Sequence, residues 1–556
     1  MRQSSSHRAA SVLAAVLAEQ GVRHAVVSPG SRNAPLVLAL HLQPDIDVHV
    51  SIDERAAAHH ALGMALATWT PVPVVCTSGT AALNHGPALA EAFHARVPLL
   101  SVTADRPQGV AGRGHGQTIH QTDIHRAHTV HRDVLDASVM NDEALVAAAR
   151  QAIRASLHGG PGGSAGPVHL NVPFEEPLYE LGATPPLSAS DVAPMPPTAS
   201  PPIDPVLEEA LERGTVLVVA GPRPSALHQP EASRMVVAMP CLAERGSNVS
   251  GPLVIHGGER LLQDGHWPDG LKPEAILTLG LPPMNKGIRQ ALEGLPHWHL
   301  DGEEGSGWDI WETCKGLAPA DVLQRAPRQA EAWAAAKRRI NEVHDAFDAA
   351  WSDLKAWTCM AALWRTWPED LRPAALHLAN SASARYAQWV DLHPALADDG
   401  VVHANRGVAG IDGCTSTAVG WQACIPRRDT WIVTGDVAFH YDANAFLTNP
   451  VPQGLKVVVM NNGGGGIFRW LPGTKHEGMF ERHFETPPNR TVGALAKAMD
   501  ALFLQATDAE TLDHALTEAR NHEGNVVLEV VTPAAASAHE RERYHQAFRK
   551  PFAPQP

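Results

Sequence analysis

Short apolar runs alternate with amphipathic stretches along the first part of the chain. HAVVSPG (24–30) reads as a strand ending in a turn, followed by a helix from about Ala34. HVSI (49–52) precedes a helical DERAAAHHALGMALA, and PVVCTSG (73–79) precedes a helix over TAALNHGPALAEAF. LLSVTADRP (99–107) is a further strand closing on a polar turn. Apolar runs of this length between helices predict strands buried on both faces, hence a parallel sheet. Polar or Gly-rich residues recur where these strands end, at Ser28–Arg32, Thr77–Gly79 and Thr103–Arg106. That edge is where open α/β sheets bind ligands.

The same alternation resumes further on. After GPVHLNVPFEEPLY (166–179), a Pro/Ser/Ala-rich stretch at 181–205 reads as a linker. TVLVVAGP (215–222) and AILTLG (275–280) are strands of a second α/β unit. A charged, Ala- and Trp-rich helical segment at about 326–366 leads into a third unit. Its strands are AALHLANS (374–381), TWIVTGD (430–436) and KVVVMNN (456–462). The expected architecture is α/β with three doubly wound parallel-sheet domains, over 1–180, 206–365 and 366–556. The apolar run Ala9–Ala18 after Arg8 has the look of a signal peptide, but it leads straight into a strand with no cleavage-like site. It is better read as the first helix, capped by Gly21.

Composition narrows the class. A chain of 556 residues is too long for one core. Its 44% hydrophobic content and mean hydropathy of −0.14 describe an ordinary soluble protein. No run of 18 apolar residues is present, so no membrane span and a cytoplasmic location are expected. A formal charge of −15 argues against a nucleic-acid partner but not against anionic small substrates, since local Arg clusters can override the global sign. Six cysteines without CxxC spacing suggest buried free thiols.

GDVAFHYDANAF and VVVMNNGGGGIF carry the most chemistry. Each puts oxygen ligands at the end of an apolar strand, and Asp436 and Asn462 stand 26 positions apart, room for one crossover between parallel strands. A carboxylate, an amide and backbone carbonyls suit a hard cation, and glycines 463–466 would offer N–H groups to phosphate. Either segment alone fits a strand-end turn or a glycine loop equally well. The pair resembles the thiamine-diphosphate enzyme motif. By position that resemblance implies that Asp436, the Asn462 side chain and the Gly464 carbonyl hold magnesium or manganese; Val437 replaces the Gly or Leu often found there.

Such an enzyme needs a carboxyl beside the aminopyrimidine ring, with its pKa raised by burial. Glu54 follows Asp53 at a strand-to-helix junction, where a first-turn Glu also simply favours the helix dipole; the resemblance assigns it the activating role. SPGSRNAPL (28–36), DERAAAHHALGMA (53–65), CTSGTAALN (76–84), TADRP (103–107), NRGVAGIDGCTSTAVG (405–420) and NNGGGGIFRWLP (461–472) together resemble one thiamine-diphosphate family. That family is the 2-succinyl-5-enolpyruvyl-6-hydroxy-3-cyclohexene-1-carboxylate synthases (MenD) of menaquinone biosynthesis. The middle of the chain matches weakly.

The resemblance implies decarboxylation of 2-oxoglutarate and conjugate addition of a succinyl carbanion equivalent to isochorismate. Carboxylate-rich substrates call for charge-assisted hydrogen bonds, best from Arg. By motif position the substrate ligands are Ser31, Arg32, Arg106, Gln117, Lys286, Ser381, Arg385 and Arg406. Glu54, Arg32, Gln117, Arg385 and Arg406 are the implied catalytic set. Ile411 would wedge the cofactor into its bent form, and Ser381, Ile467 and Phe468 would also contact it. The family further implies a homodimer or homotetramer in which Glu54 and Asp436 meet across the subunit interface.

Two departures stand out. The family's GANQ is Gly114-His115-Gly116-Gln117 here, and a basic pair is reduced to Lys286-Gly287. His115, His120, His125, His128 and His131 form a dense run; the last three have helical i, i+3 spacing, but without Cys or acidic partners a neutral, solvated surface is expected rather than zinc. Two rivals remain open: a carboligase of the acetolactate-synthase group, which lacks SPGSR with NRGxxGIDG, and a catalytically silent cofactor-binding scaffold, which the joint presence of Glu54, Asp436 and Asn462 disfavours.

Overall fold

The computed structural model describes residues 3–160, 163–183, 187, 200–228, 235–262, 266–300, 308–325, 328–349, 375–390, 400–426, 429–471, 479–488 and 490–549. The chain forms two compact units. The first comprises Met1–Pro197, Gly407–Pro426 and Asp442–Gln453; the second comprises Thr198–Arg406, Arg427–Tyr441 and Gly454–Pro556.

The first unit is built on a seven-stranded sheet. From one edge the strands run Thr448–Asn449, Asp47–Ser51, His24–Val27, Val72–Cys76, Leu99–Asp105, Pro167–Pro173 and His131–Val134. All pair in parallel except the edge strand Thr448–Asn449. Strand order reverses beside His24–Val27, so the segments at 28–32 and 77–79 flank the switch point. The helix Arg8–Glu19 buries Ala9–Leu17 and ends at Gln20, with Gly21 next in the left-handed region. Leu181–Ala183, at the start of the expected linker, pairs antiparallel with Gln3–Ser5.

Two all-parallel six-stranded sheets make up the second unit. The first runs Val254–His256, Cys241–Ala243, Val216–Ala220, Ala275–Leu279, His297–Leu300, Cys314–Ala318, the 3-2-1-4-5-6 order of a dinucleotide-type sheet. The other runs Val401–His403, Ala375–Leu378, Thr430–Gly435, Leu455–Asn461, Val526–Val531, Leu502–Ala506. Its order, 2-1-3-4-6-5, is that of the first unit's sheet once the antiparallel edge strand is set aside. The sequence shows no such repeat, because strand order is a property of long-range pairing. Among the described residues no helix is long and apolar enough to cross a membrane.

The helix Glu54–Thr68 is buried around its whole circumference from Ala56 to Leu66, which its small side chains permit. Its partner is Cys414–Cys424, also in the first unit. The helices cross at glycine: a Cβ on Gly63 would stand 1.9 Å from the Thr417 carbonyl, and one on Gly420 1.9 Å from that of His60. Gly63→Ala is therefore expected to cost about 1–3 kcal/mol through overpacking, visible as a lowered melting temperature. Unchanged melting would contradict the close crossing.

Three local expectations are corrected. TAALNHGPALAEAF is two helices, Thr80–Leu83 and Gly86–Ala95, because Pro87 cannot continue the first and instead suits the first turn of the second. The i, i+3 histidines share no α-helix: Arg126–His128 is a 3-10 turn and His131 starts a strand. His125 is buried, not solvated; its Nε2 bonds the Ala82 carbonyl and its ring meets His169 edge-on at 5.1 Å. His115, His120 and His128 are exposed as expected. Cys76, Cys241 and Cys414 are buried free thiols, while Cys314 and Cys424 are only half-buried. Cys359 lies outside the described residues, as does most of the helical segment expected at 326–366 beyond Ala330–Ala349.

Candidate active site

In the second unit, Thr430–Gly435 and Leu455–Asn461 are adjacent parallel strands, and they deliver Asp436 and Asn462 to the same sheet edge. Asp436 opens the helix Asp436–Tyr441 and is 2% exposed. Burial pushes its carboxyl up to about 6, against the pull of the Val437 and Gly464 backbone N–H groups. Its Oδ2 has no hydrogen-bond partner. The two consecutive asparagines have different tasks. Asn461 bonds Glu529 through Nδ2 (2.6 Å) and accepts from Gly463 N–H (3.0 Å), whereas Asn462 folds over Gly466, its Nδ2 filling the place of a Cβ there.

The glycine loop is held by Glu485. A Cβ on Gly464 would stand 2.4 Å from the Glu485 carbonyl, which accepts the Gly465 N–H at 2.6 Å. The Glu485 carboxylate takes both arms of Arg469 at 2.5 Å. The expectation that residues 463–466 offer free N–H groups to phosphate is corrected for three of the four. Gly463 N–H goes to Asn461, that of Gly465 to Glu485 and that of Gly466 to the Gly464 carbonyl (2.8 Å). The donor set nevertheless fits a hard divalent cation: an orphaned buried carboxylate oxygen, an amide and a carbonyl with a second lone pair.

A cavity of about 560 Å³ in the same unit gathers Lys286, Arg289, Arg385 and Arg541, with Glu244 and Ile467 also on its wall. Arg385 donates to the Ser381 carbonyl at 2.8 Å. Burial, then neighbouring Arg406, depress its pKa, while Glu244 opposes. Ser381 itself has φ +73°, a left-handed backbone unusual for a residue with a side chain and a mark of functional sites. Arg406 donates to Asn380 Oδ1 at 2.8 Å. Glu244 is buried and pushed up to about 7 by desolvation, with Arg406 pulling it back. Four cations against two carboxylates, Glu244 and Glu259, leave this wall with an excess of positive charge suited to anions. Phe468 packs on Phe484 with centroids 5.9 Å apart and does not line this cavity.

The first unit holds the remaining candidates. Asp53 caps its helix by accepting from Arg55 and Ala56 N–H and takes a third bond from Asn444. Glu54, the first helical residue, is half-buried near Cys76, whose thiol is pushed well up by burial and by the Glu54 charge. Arg32 is 8% exposed, donates to the Phe174 carbonyl at 2.9 Å and pairs with Glu176 at 3.3 Å; burial, then Arg106, lower its pKa. Ser31 meets Tyr179 through their hydroxyls at 3.1 Å. Arg106 donates to the Gly116 carbonyl at 3.1 Å. Gln117 has an exposed side chain and φ +54°, and its carbonyl accepts from Ser78. Ile411 is half-buried on a loop clamped by Glu91, whose carboxylate accepts the N–H groups of Gly407, Val408 and Ala409.

Sequence reasoning missed Glu91, Gln121, Glu244, Arg289, Glu485 and Arg541. Gln121 ties Gly79 N–H, the Ala104 carbonyl and Asn171 together beneath the binding edge. None sits in a motif; a buried polar side chain shows itself only by its partners.

Comparison with known proteins converges on these segments. Residues 7–124 match the family model for a thiamine pyrophosphate enzyme, N-terminal TPP binding domain, and residues 385–530 match the C-terminal TPP binding domain. The chain is similar to 2-succinyl-5-enolpyruvyl-6-hydroxy-3-cyclohexene-1-carboxylate synthases. It is 32% identical to that of Flavobacterium johnsoniae, over 93% of this chain and 95% of the relative. It is 34% identical to that of Porphyromonas gingivalis, over 96% of each, and 33% identical to that of Saccharopolyspora erythraea, over 97% and 98%.

Proposed function

Since the chain belongs to the 2-succinyl-5-enolpyruvyl-6-hydroxy-3-cyclohexene-1-carboxylate synthase family of thiamine-diphosphate enzymes, we propose that it decarboxylates 2-oxoglutarate and adds the remaining succinyl unit conjugately to isochorismate, in menaquinone biosynthesis. The observation that carries the reading is Asp436, a buried carboxylate with an orphaned oxygen, set beside Asn462 and Gly464 at adjacent strand ends. Thiamine diphosphate, when bound, would supply an acidic thiazolium carbon as nucleophile toward the 2-oxo group and an electron sink for decarboxylation.

The residues have distinct tasks. Asp436, Asn462 and the Gly464 carbonyl hold magnesium, or manganese in its place. With the Gly463, Gly465 and Gly466 N–H groups already engaged, the diphosphate is gripped chiefly through that metal. Glu54 exchanges a proton with the aminopyrimidine ring, and Ile411, Ile467 and Phe468 supply apolar contact to the cofactor. Lys286 and Arg385, joined by Arg289 and Arg541, receive carboxylates in the cationic cavity, with Arg406 beside them. Arg32, Arg106, Ser31 and Gln117 do the same in the first unit. The cations favour a polycarboxylate pair over the small monoanions used by the acetolactate-synthase group. A cytoplasmic site of action is part of the proposal.

The test is incubation with thiamine diphosphate, magnesium, 2-oxoglutarate and isochorismate. Isochorismate absorbance is expected to fall only when all four are present; turnover of pyruvate alone would favour the rival carboligase. We further infer a homo-oligomer in which two copies of the chain share each site. Co-expressed Glu54→Gln and Asp436→Ala chains are then expected to recover activity that neither has alone, because a symmetric mixed dimer regains one intact site. No recovery in purified mixed dimers would refute shared sites.

A further inference from the structure

At one edge of the 3-2-1-4-5-6 sheet, the strands His297–Leu300 and Cys314–Ala318 bring together three metal-ligating side chains. His297 and His299 are two apart on one strand, so both rings stand on one face, and Cys314 lies opposite His297 in the register. One ligand atom from each lies within 4.8 Å of the others. Asp309 stands beside these three rather than among them, its Oδ1 3.7 Å from His297 Nε2. Backbone N–H groups of Thr313 and Cys314 orient that carboxylate at 3.1 and 3.0 Å.

Hydrogen bonds around the rings fix their protons. His297 Nδ1 meets Thr313 Oγ1 at 3.0 Å, and that hydroxyl donates to the Leu295 carbonyl at 2.7 Å. His299 Nδ1 meets Thr278 Oγ1 at 2.6 Å, and that hydroxyl donates to the Trp298 carbonyl at 3.1 Å. A hydroxyl has one proton to give, and with that proton on the carbonyl each threonine accepts from its histidine. Both Nδ1 atoms therefore carry the ring proton, and both Nε2 atoms present a lone pair. His297 is fully buried and His299 is 5% exposed, and neither Nε2 has a hydrogen-bond partner. Two buried lone pairs facing a thiol and a carboxylate lack a donor, the situation a cation resolves.

We propose that His297, His299 and Cys314 bind a zinc ion that clasps the two edge strands, with the neighbouring Asp309 carboxylate moving in as the fourth ligand. Two imidazoles, a thiolate and a carboxylate are zinc's preferred donors, and four protein ligands make a structural rather than a catalytic site. The threonines are the outer partners that orient ligating imidazoles. Zinc–nitrogen and zinc–sulfur bonds of about 2.0 and 2.3 Å require the donors to draw together from a spacing of up to 4.8 Å, and Asp309 to follow. Binding expels the Cys314 thiol proton to solvent as the zinc–sulfur bond forms, with no change of oxidation state.

The test uses the full chain, reduced, stripped with chelator and loaded with Zn²⁺ or Co²⁺ alone. Zinc is expected to survive gel filtration in stoichiometric amount. Co²⁺ is expected to give a thiolate charge-transfer band and the visible spectrum of a tetrahedral site. Cys314→Ser should abolish the band while Asp436→Ala keeps it, which separates this site from the magnesium ligands. Thr278→Val, which alters no ligand, should weaken zinc about 10–100-fold. Zinc retention unaffected by Cys314→Ser, or a cobalt spectrum lacking the thiolate band in the parent protein, would overturn the assignment.

Discussion

Glu54→Gln is expected to leave thiamine diphosphate and magnesium bound while lowering kcat by about 10²–10⁴-fold, the usual contribution of a positioned acid–base group. Local structure makes the test clean. Asp53 alone accepts the Arg55 and Ala56 N–H groups that start the helix, and Asn444 holds its second oxygen. Glu54 therefore has no capping task. Glutamine preserves its length and shape but cannot pass a proton to a ring nitrogen. Calorimetry should show cofactor affinity near that of the parent, with kcat collapsing in the isochorismate assay. Turnover within a few-fold of the parent would remove Glu54 from the mechanism.

Asp436→Ala should instead act on binding. A charge-assisted contact is worth about 1.5–3 kcal/mol, so magnesium-dependent cofactor affinity is expected to fall at least tenfold and kcat to become unmeasurable at ordinary cofactor concentrations. Asp436→Asn discriminates further. It keeps the shape but removes a buried charge whose Oδ2 has no hydrogen-bond partner. The metal-free protein should then melt no lower than the parent, because the desolvation cost disappears, while cofactor affinity falls as in the alanine variant. Calorimetric affinity unchanged in both variants would contradict a metal role for Asp436.

Parts of this were legible in the chain itself. Runs such as Val72–Cys76 and Thr430–Gly435 are apolar on both faces and can be little other than central strands, and strand ends located Asp436, Asn462 and Arg106. The glycine loop misleads because permissive backbone is not free backbone: the N–H groups of Gly463, Gly465 and Gly466 are closed on Asn461, Glu485 and the loop itself. Glu91 could not be found, since the N–H groups it clamps begin at Gly407, more than 300 residues away. Arg289 and Arg541 look like ordinary helix charges until the cavity places them beside Lys286 and Arg385. His125 is not legible as buried, because a histidine in a polar stretch gives no sign of a carbonyl waiting for it.

The glycine crossing of Gly63 and Gly420 also bears on how the protein is made. The first unit draws on Met1–Pro197 but is finished by Gly407–Pro426 and Asp442–Gln453. A ribosome adding about 5–20 residues per second takes roughly 10–40 s to cross the intervening 198–406. Throughout that interval the nascent N-terminal sheet exists with the docking face of Glu54–Thr68 uncovered and the Asp47–Ser51 strand edge unpaired. The unit cannot close until translation is nearly over, so its folding falls under the care of whatever shields nascent chains, and slowing the ribosome between the two segments lengthens the exposure instead of helping the fold.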